Sequence, residues 1–454
     1  MILRRRDSAI VALCLTVAVL GVDSSFPAGA SRSGSVTRRY IVVLEDDASR
    51  STPGAKAPGV DAVSREHTSR HGIRVGHVYK WAFSGYAAKM SEQDAARIAA
   101  DSRVAWVEPV YRIVAPSDQP IGVLAKSGST RQTIPTGVDR VQADRSSTAD
   151  IDQVDDRVDV DVAVVDTGID LDHSDLNVAG GTACIPEPSF DDGHGHGTRV
   201  AGVIGALDNS YGVVGVAPGA RLWSVRIFDA EAVGSLETIL CGIDWITKTR
   251  LDAVSDNDID VANMSFGTPP QPSRVEDRNC GKTFDDVFHT AICRSVEAGV
   301  TYTAAAGNDS ANIARVAPAG YREVIAVSAL VDFDGRAGGR GRPSRACARH
   351  LGEATSLVRD DAFAFFSNFG RGVDLIAPGV CIRSTYLKGT YALASETSIS
   401  APHVAGGAAL YKATHPAALP AEVKTALMRA GRFNWNDRDD PDHDKEPLLN
   451  VAKF

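Results

Sequence analysis

The stretch VDVAVVDTG (160–168) constrains this chain more than any other. Residues 162–165 are apolar without interruption, whereas a strand with one wet face alternates apolar and polar side chains. A run apolar on both faces belongs to a sheet covered on both sides, which means a parallel sheet with helices above and below. Residues 221–228, 260–266, 300–306 and 324–330 repeat the strand pattern. Helical segments fall between or after them, near His196 and over 236–248, 284–298 and 398–411. The fold class expected from 132 onward is therefore α/β. Ligands in such sheets collect where strands end, and Asp166 ends one.

Two further stretches carry reactive residue types. DDGHGHGTRVAGVIGAL (191–207) sets His196 ahead of a helix of small residues, with glycines that permit close approach of the backbone. SETSISAPHVAGG (395–407) sets Ser398 ahead of another, with Pro402 suited to a first helical turn. A serine at a helix N-terminus meets free NH groups and the positive end of the helix dipole, both of which favour an oxyanion. A serine hydroxyl becomes a nucleophile only when a base takes its proton. The order Asp166, His196, Ser398 thus lays out acid, base and nucleophile, and no G-x-S-x-G elbow offers an alternative.

These three segments resemble the signature motifs of subtilisin-like serine endopeptidases, the subtilase family. The resemblance implies a subtilisin-like three-layer fold. It gives Ser398 as nucleophile, His196 as general base and Asp166 as the group that orients the imidazole. His194 and Ser400 then count as neighbouring polar residues. VANMSFG (261–267) resembles the strand that pairs with substrate, with Ser265, Phe266 and Gly267 on one side of the S1 pocket. AAAGNDS (304–310) resembles the opposite wall, Ala305, Ala306 and Gly307, followed by Asn308 as an oxyanion-hole donor alongside Ser398. Ala232, Val233 and Gly234 resemble the S4 side. Asn263 and Asn308 also fit N-x-S sequons, a match read as coincidental because both lie in motif segments.

At 454 residues the chain exceeds one ordinary domain. Residues 1–30 have a basic start, an apolar run and a small-x-small ending, the pattern of a secretory signal peptide too short to span a bilayer. Residues 38–114 form a second unit whose order, β-α-β-β-α-β, fits a ferredoxin-like α+β domain. Ser91 and Asp94 mark the start of its second helix. This unit resembles the inhibitor-type propeptide of subtilisin-like proteases, which acts on its own protease as an intramolecular inhibitor. Residues 31–114 hold 13 basic and 9 acidic side chains in a chain of net charge −9, so the remainder is acidic and complementary to it. Residues 115–131, rich in Pro, Gly and Ser, read as a connector holding the maturation site, and 132–454 as the catalytic domain.

A leader and an even set of six later cysteines point to disulfides and an extracellular, secreted protein. Fifteen connectivities are open. Cys280 with Cys293 ranks first and Cys347 with Cys381 second, which leaves Cys184 with Cys241. No catalytic cofactor is implied, and structural calcium is. PAGYREVIAV with Asp374 resembles a family cation site built from that carboxylate and from carbonyls near Arg322 and Val324. The acidic stretch 437–447 reads as a solvated loop able to hold a cation. Partners are peptide or protein substrates. The acidic balance argues against nucleic acid, no membrane contact is expected once the signal is removed, and a monomer is expected.

One departure stands at the centre of the motif. Where the family carries Gly-Thr-Ser-Met-Ala, this chain has Glu396-Thr397-Ser398-Ile399-Ser400. A carboxylate ~6 Å from the oxyanion opposes it by about 3 kcal/mol at an effective dielectric near 20, unless it points to solvent. Arg199, where histidine is common, is expected to matter less. Two functions follow: a secreted serine endopeptidase made as a self-processing zymogen and acting through an acyl-enzyme, or a catalytically silent homologue that binds peptides.

Overall fold

The computed structural model describes residues 3–4, 37–45, 59–115 and 131–454. The expected leader, apart from the backbone of Leu3–Arg4, and most of the expected connector lie outside the described residues. Two compact units form: Met1–Val78 with Ser84–Val110, and Tyr79–Phe83 with Tyr111–Phe454.

The first unit has the expected order of elements. Its strands Val104–Pro109, Thr37–Leu44, Gly85–Ser91 and Arg74–Tyr79 lie side by side in that sequence, the ferredoxin-like arrangement. Thr37–Leu44 is central and antiparallel to both of its neighbours. Helices Val60–His71 and Glu92–Ala99 join the strands. Val42, Val63, Tyr86, Ile98 and Val107 share one buried cluster. Ser91 caps the second helix by accepting the Asp94 NH, as its spacing predicts.

The second unit is built on an eight-stranded sheet. Reading across, its strands are Ala362–Phe363, Ile325–Val331, Thr301–Ala305, Val261–Met264, Asp161–Asp166, Arg221–Arg226 and Val178–Ala183, with Leu375–Pro378 also paired to Ile325–Val331. All pairings are parallel except that of Ala362–Phe363. Alternate residues of the central strand serve opposite faces. Val162 and Val164 join Val200, Ile204, Val404 and Ala408 of the helices His196–Gly205 and Thr397–Thr414. Val165 and Val225 instead approach Gly242 of the helix Leu236–Leu251. This is the three-layer α/β fold. The strand Val178–Ala183, VAGGTA, was not legible in the sequence because its glycines interrupt the apolar pattern.

Disulfides join Cys184 to Cys241, Cys280 to Cys293 and Cys347 to Cys381. No helix among the described residues is long and apolar enough to cross a membrane.

Candidate active site

Asp166 is the last residue of its strand and is fully buried. His196 opens the helix His196–Gly205, and its Nδ1 lies 2.7 Å from Asp166 Oδ1. Two glycines permit this approach. Gly195 takes φ 101°, and a Cβ on Gly197 would lie 2.1 Å from the Gly168 carbonyl oxygen. The loop ahead of the helix is held by a residue that sequence reasoning missed. Buried Asp192 accepts from the Thr167 hydroxyl and from the NH groups of His194 and Gly195 on one oxygen, and from the NH and hydroxyl of Thr198 on the other. The Thr167 hydroxyl accepts in turn from the Gly197 NH at 3.0 Å, which ties the Asp166 turn to the His196 turn. An acid a few residues ahead of a helix is the sequence signal that could have found it. His194 is a half-buried loop residue, and burial, followed by the charge on His196, lowers its pKa.

Ser398 is the second residue of the helix Thr397–Thr414 and is buried. Pro402 was expected in the first turn but sits deeper inside this helix. Proline has no NH to give the carbonyl four residues back, which is that of Ser398. Ser265 supplies the missing donor: its hydroxyl donates to the Ser398 carbonyl oxygen at 2.6 Å. Asn263 Nδ2 donates to that hydroxyl at 2.8 Å, and Thr303 donates to Asn263 Oδ1 at 3.0 Å. Ser265 therefore supports the Ser398 backbone and does not line the pocket that Phe266 and Gly267 line, and Asn263 is enclosed in the core. Ser400 packs toward Gly379, where a Cβ would lie 2.2 Å from its hydroxyl.

Asn308 Oδ1 accepts the Thr397 NH at 2.9 Å and the Thr397 hydroxyl at 2.8 Å, and the same hydroxyl accepts the Gly307 NH at 3.1 Å. With its oxygen fixed, the amide nitrogen of Asn308 is the end left to donate beside Ser398. Phe266, Gly267, Ala305, Gly307 and Asn308 line one pocket of about 320 Å³, closed further by Val316 and Thr397. Ala306 is buried behind this wall, its NH bonded to Val327 O. Val233–Ser235 pairs antiparallel with Arg112–Val114, opposing Val233 to Val114 and Gly234 to Ile113, and Ala232 O accepts the Ala115 NH at 2.9 Å. The Val233–Ser235 edge thus pairs with an extended chain segment, and Arg112 and Val114 also line the pocket.

Glu396 does not face solvent; it is 3% exposed. Its φ of −170° is extended backbone, so replacing glycine here strains nothing. Its carboxylate makes no cap on the helix it precedes. Oε1 lies 3.5 Å from His196 Nε2 and 3.9 Å from Arg199 Nη2. Burial opposes a charged His196, but Asp166 and then Glu396 outweigh it and push the imidazole up to about 10. Burial likewise opposes the Glu396 carboxylate, and His196, Arg199 and the Ser398 hydroxyl outweigh it, holding its pKa below the usual value. Arg199, set aside from sequence, is one turn beyond His196 and therefore on the same helix face.

The cation site expected at Asp374 is corrected by the structure. Lys424 Nζ donates to the carbonyls of Arg322 (3.0 Å) and Val324 (2.9 Å) and lies 2.8 Å from Asp374 Oδ2. An ammonium on the helix Pro420–Ala430 takes the donors expected to hold an ion, so these residues do not fit calcium. The acidic stretch is also less solvated than expected: Asp440 and Glu446 are buried, and burial pushes Glu446 up to about 8. Acidic groups elsewhere, such as Asp332, Asp334 and Asp360, have oxygens close enough to share an ion.

The Subtilase family profile matches residues 158–446 and the Peptidase inhibitor I9 profile residues 39–112. Subtilisin NAT of Bacillus subtilis subsp. natto is 31% identical over 427 residues, which cover 93% of this chain and 92% of that protein. Subtilisin E of Bacillus subtilis (strain 168) matches at the same identity and coverage. Subtilisin Savinase of Lederbergia lenta is 36% identical over 297 residues, 65% of this chain and 90% of its own length. With the family profile over more than half of its length and a relative 31% identical over nearly all of it, the chain belongs to the subtilase family of serine endopeptidases.

Proposed function

We propose that this endopeptidase is made as a secreted zymogen and cleaves peptide bonds through an acyl-enzyme on Ser398. The observation that carries the reading is the buried 2.7 Å contact between His196 Nδ1 and Asp166 Oδ1, which leaves the other ring nitrogen facing Glu396, two residues before Ser398. In this mechanism His196 Nε2 takes the Ser398 proton as Oγ attacks the scissile carbonyl, and Asp166 stabilises the imidazolium that results. The Asn308 amide and the Ser398 NH at the helix N-terminus receive the oxyanion. His196 then returns the proton to the leaving amine as the C–N bond breaks. Water, activated by the same base, hydrolyses the ester. No step calls on a metal or cofactor.

An extended substrate pairs with the Val233–Ser235 edge, as Arg112–Val114 does, and sets a side chain against Phe266, Gly267 and Ala305. Residues 38–114 act as the intramolecular inhibitor, maturation falls within 115–131, and 132–454 works as a monomer. Secretion rests on the leader pattern of residues 1–30 and on the three disulfides. The burial of Glu396 against His196 is the one observation that favours a silent peptide binder. Hydrolysis of a peptide panel from pH 6 to 11, with Ser398→Ala as control, decides between the two. Turnover lost in Ser398→Ala supports the protease mechanism, and equal, negligible turnover in both proteins refutes it.

A further inference from the structure

Glu396 is a buried acid with an unusual outlook. Its side chain neglects the helix it precedes and faces His196 Nε2, the nitrogen that has to accept the Ser398 proton. Among the described residues the buried atoms His196 Nε2, Glu396 Oε1 and Ser398 Oγ make no well-formed hydrogen bond, and Nε2 instead lies 3.5 Å from Glu396 Oε1. We propose that Glu396 is a positioning residue that holds His196 in its imidazolium form through Nε2, so that the acid limb of catalysis is displaced to alkaline pH, with Arg199 restraining the same carboxylate oxygen.

The groups around the imidazole set the balance. Asp166 faces Nδ1 from the central strand. Glu396 faces Nε2 from the residue before the serine helix. Arg199 approaches Glu396 from one turn further along the histidine helix, and its guanidinium lies 5.9 Å from the centre of the Tyr386 ring on the strand Ile382–Tyr386. His194 and Asp192, in the loop ahead of the histidine helix, add one weak base and one acid. Two carboxylates thus touch the ring directly, and a guanidinium lies beside one of them. Burial would favour the neutral ring, yet these partners carry the pKa of His196 up to about 10.

The proton account is simple. In the resting enzyme Nε2 carries a proton shared in charge with Glu396, and this proton must leave to solvent before the ring can act as a base. Nε2 then takes the Ser398 hydroxyl proton as Oγ bonds to the scissile carbon. The imidazolium so formed meets Glu396 again, which stabilises it until the proton passes to the leaving amine. Glu396 thereby depresses the reactive population at neutral pH and strengthens the base once that population has formed.

This role rests on the Ser398 mechanism proposed above, and the two fail separately. The full chain is expressed and the purified protein assayed for kcat/KM on a peptide substrate across pH 6–11, as wild type, Glu396→Gln and Glu396→Gly, the last restoring the family's glycine. The wild-type acid limb is expected to have its midpoint above pH 8, and both variants to move it down by at least one unit. At pH 7 each variant would then run at least about fivefold closer to its own alkaline plateau than wild type does, a change that mere damage to the fold does not produce. NMR titration of the His196 ring in Ser398→Ala chains with and without Glu396→Gln reads the same shift without turnover. Coincident midpoints in wild type and variants overturn the role of Glu396 and leave the mechanism standing. Hydrolysis that survives Ser398→Ala removes the mechanism.

Discussion

Replacing Lys424 with methionine keeps most of the stem and removes the ammonium. In the native protein this charge lies 2.8 Å from Asp374 Oδ2 and donates to two backbone carbonyls, with the two side chains 20% and 12% exposed. At an effective dielectric near 20 the attraction alone is about 6 kcal/mol, and desolvation of the ammonium cancels a large part of it. Removing one partner leaves a mostly buried carboxylate and two carbonyls facing an apolar end, at a net cost of about 3 kcal/mol. For a domain of this size that lowers Tm by about 4 °C. Differential scanning fluorimetry of Lys424→Met, Asp374→Asn and the double variant measures it, the double variant being less destabilised than the sum. Lys424→Ala, which opens the space, should in addition gain a Tm response to millimolar calcium that wild type lacks at this site. A Tm for Lys424→Met within about 1 °C of wild type would refute the idea that this side chain works as a built-in cation.

Ser265→Ala strands the Ser398 carbonyl opposite Pro402 and should cost about 1–3 kcal/mol in urea unfolding, together with a fall in kcat. Unchanged stability would show that another donor replaces it. Asp192→Ala releases the donors of the histidine loop and should cost about 3 kcal/mol, with kcat falling more than tenfold and KM little changed. Asn308→Ala should lower kcat by about 10²–10³, a range taken from another member of the family; a change below tenfold removes Asn308 from the oxyanion site. Because His196 titrates higher when folded than when unfolded, its contribution to stability is full below about pH 6.5 and is lost as pH rises through about 10. The guanidinium midpoint of wild type relative to His196→Ala should shrink over that interval, and a gap that widens contradicts the sign.

The parallel sheet was legible because apolar runs such as residues 162–165 leave few alternatives, and the strand order of the first unit followed from its β-α-β-β-α-β pattern. The motifs pointed to Asp166, His196 and Ser398, and the structure sets His196 Nδ1 2.7 Å from Asp166 Oδ1. Contacts across long sequence separations were not legible. Lys424 reaches carbonyls about a hundred residues away, and no local pattern marks it as a counter-ion. Ser265 looked like a pocket residue because its neighbours are; its actual partner is fixed by Pro402 inside a helix that starts earlier than expected. The direction of the Glu396 side chain depended on a packing choice between solvent and the imidazole, which composition does not encode.

The pairing of Arg112–Val114 with Val233–Ser235 uses main-chain groups, so it scarcely distinguishes one sequence from another. What gives this segment its advantage over a free peptide is covalent attachment. A segment attached by a short covalent tether competes at an effective concentration on the order of millimolar. Severing the chain between residues 115 and 131 would abolish that advantage at once, leaving the segment to compete at bulk dilution. One bond, and no rearrangement of the sheet edge, then suffices to open the groove to other chains.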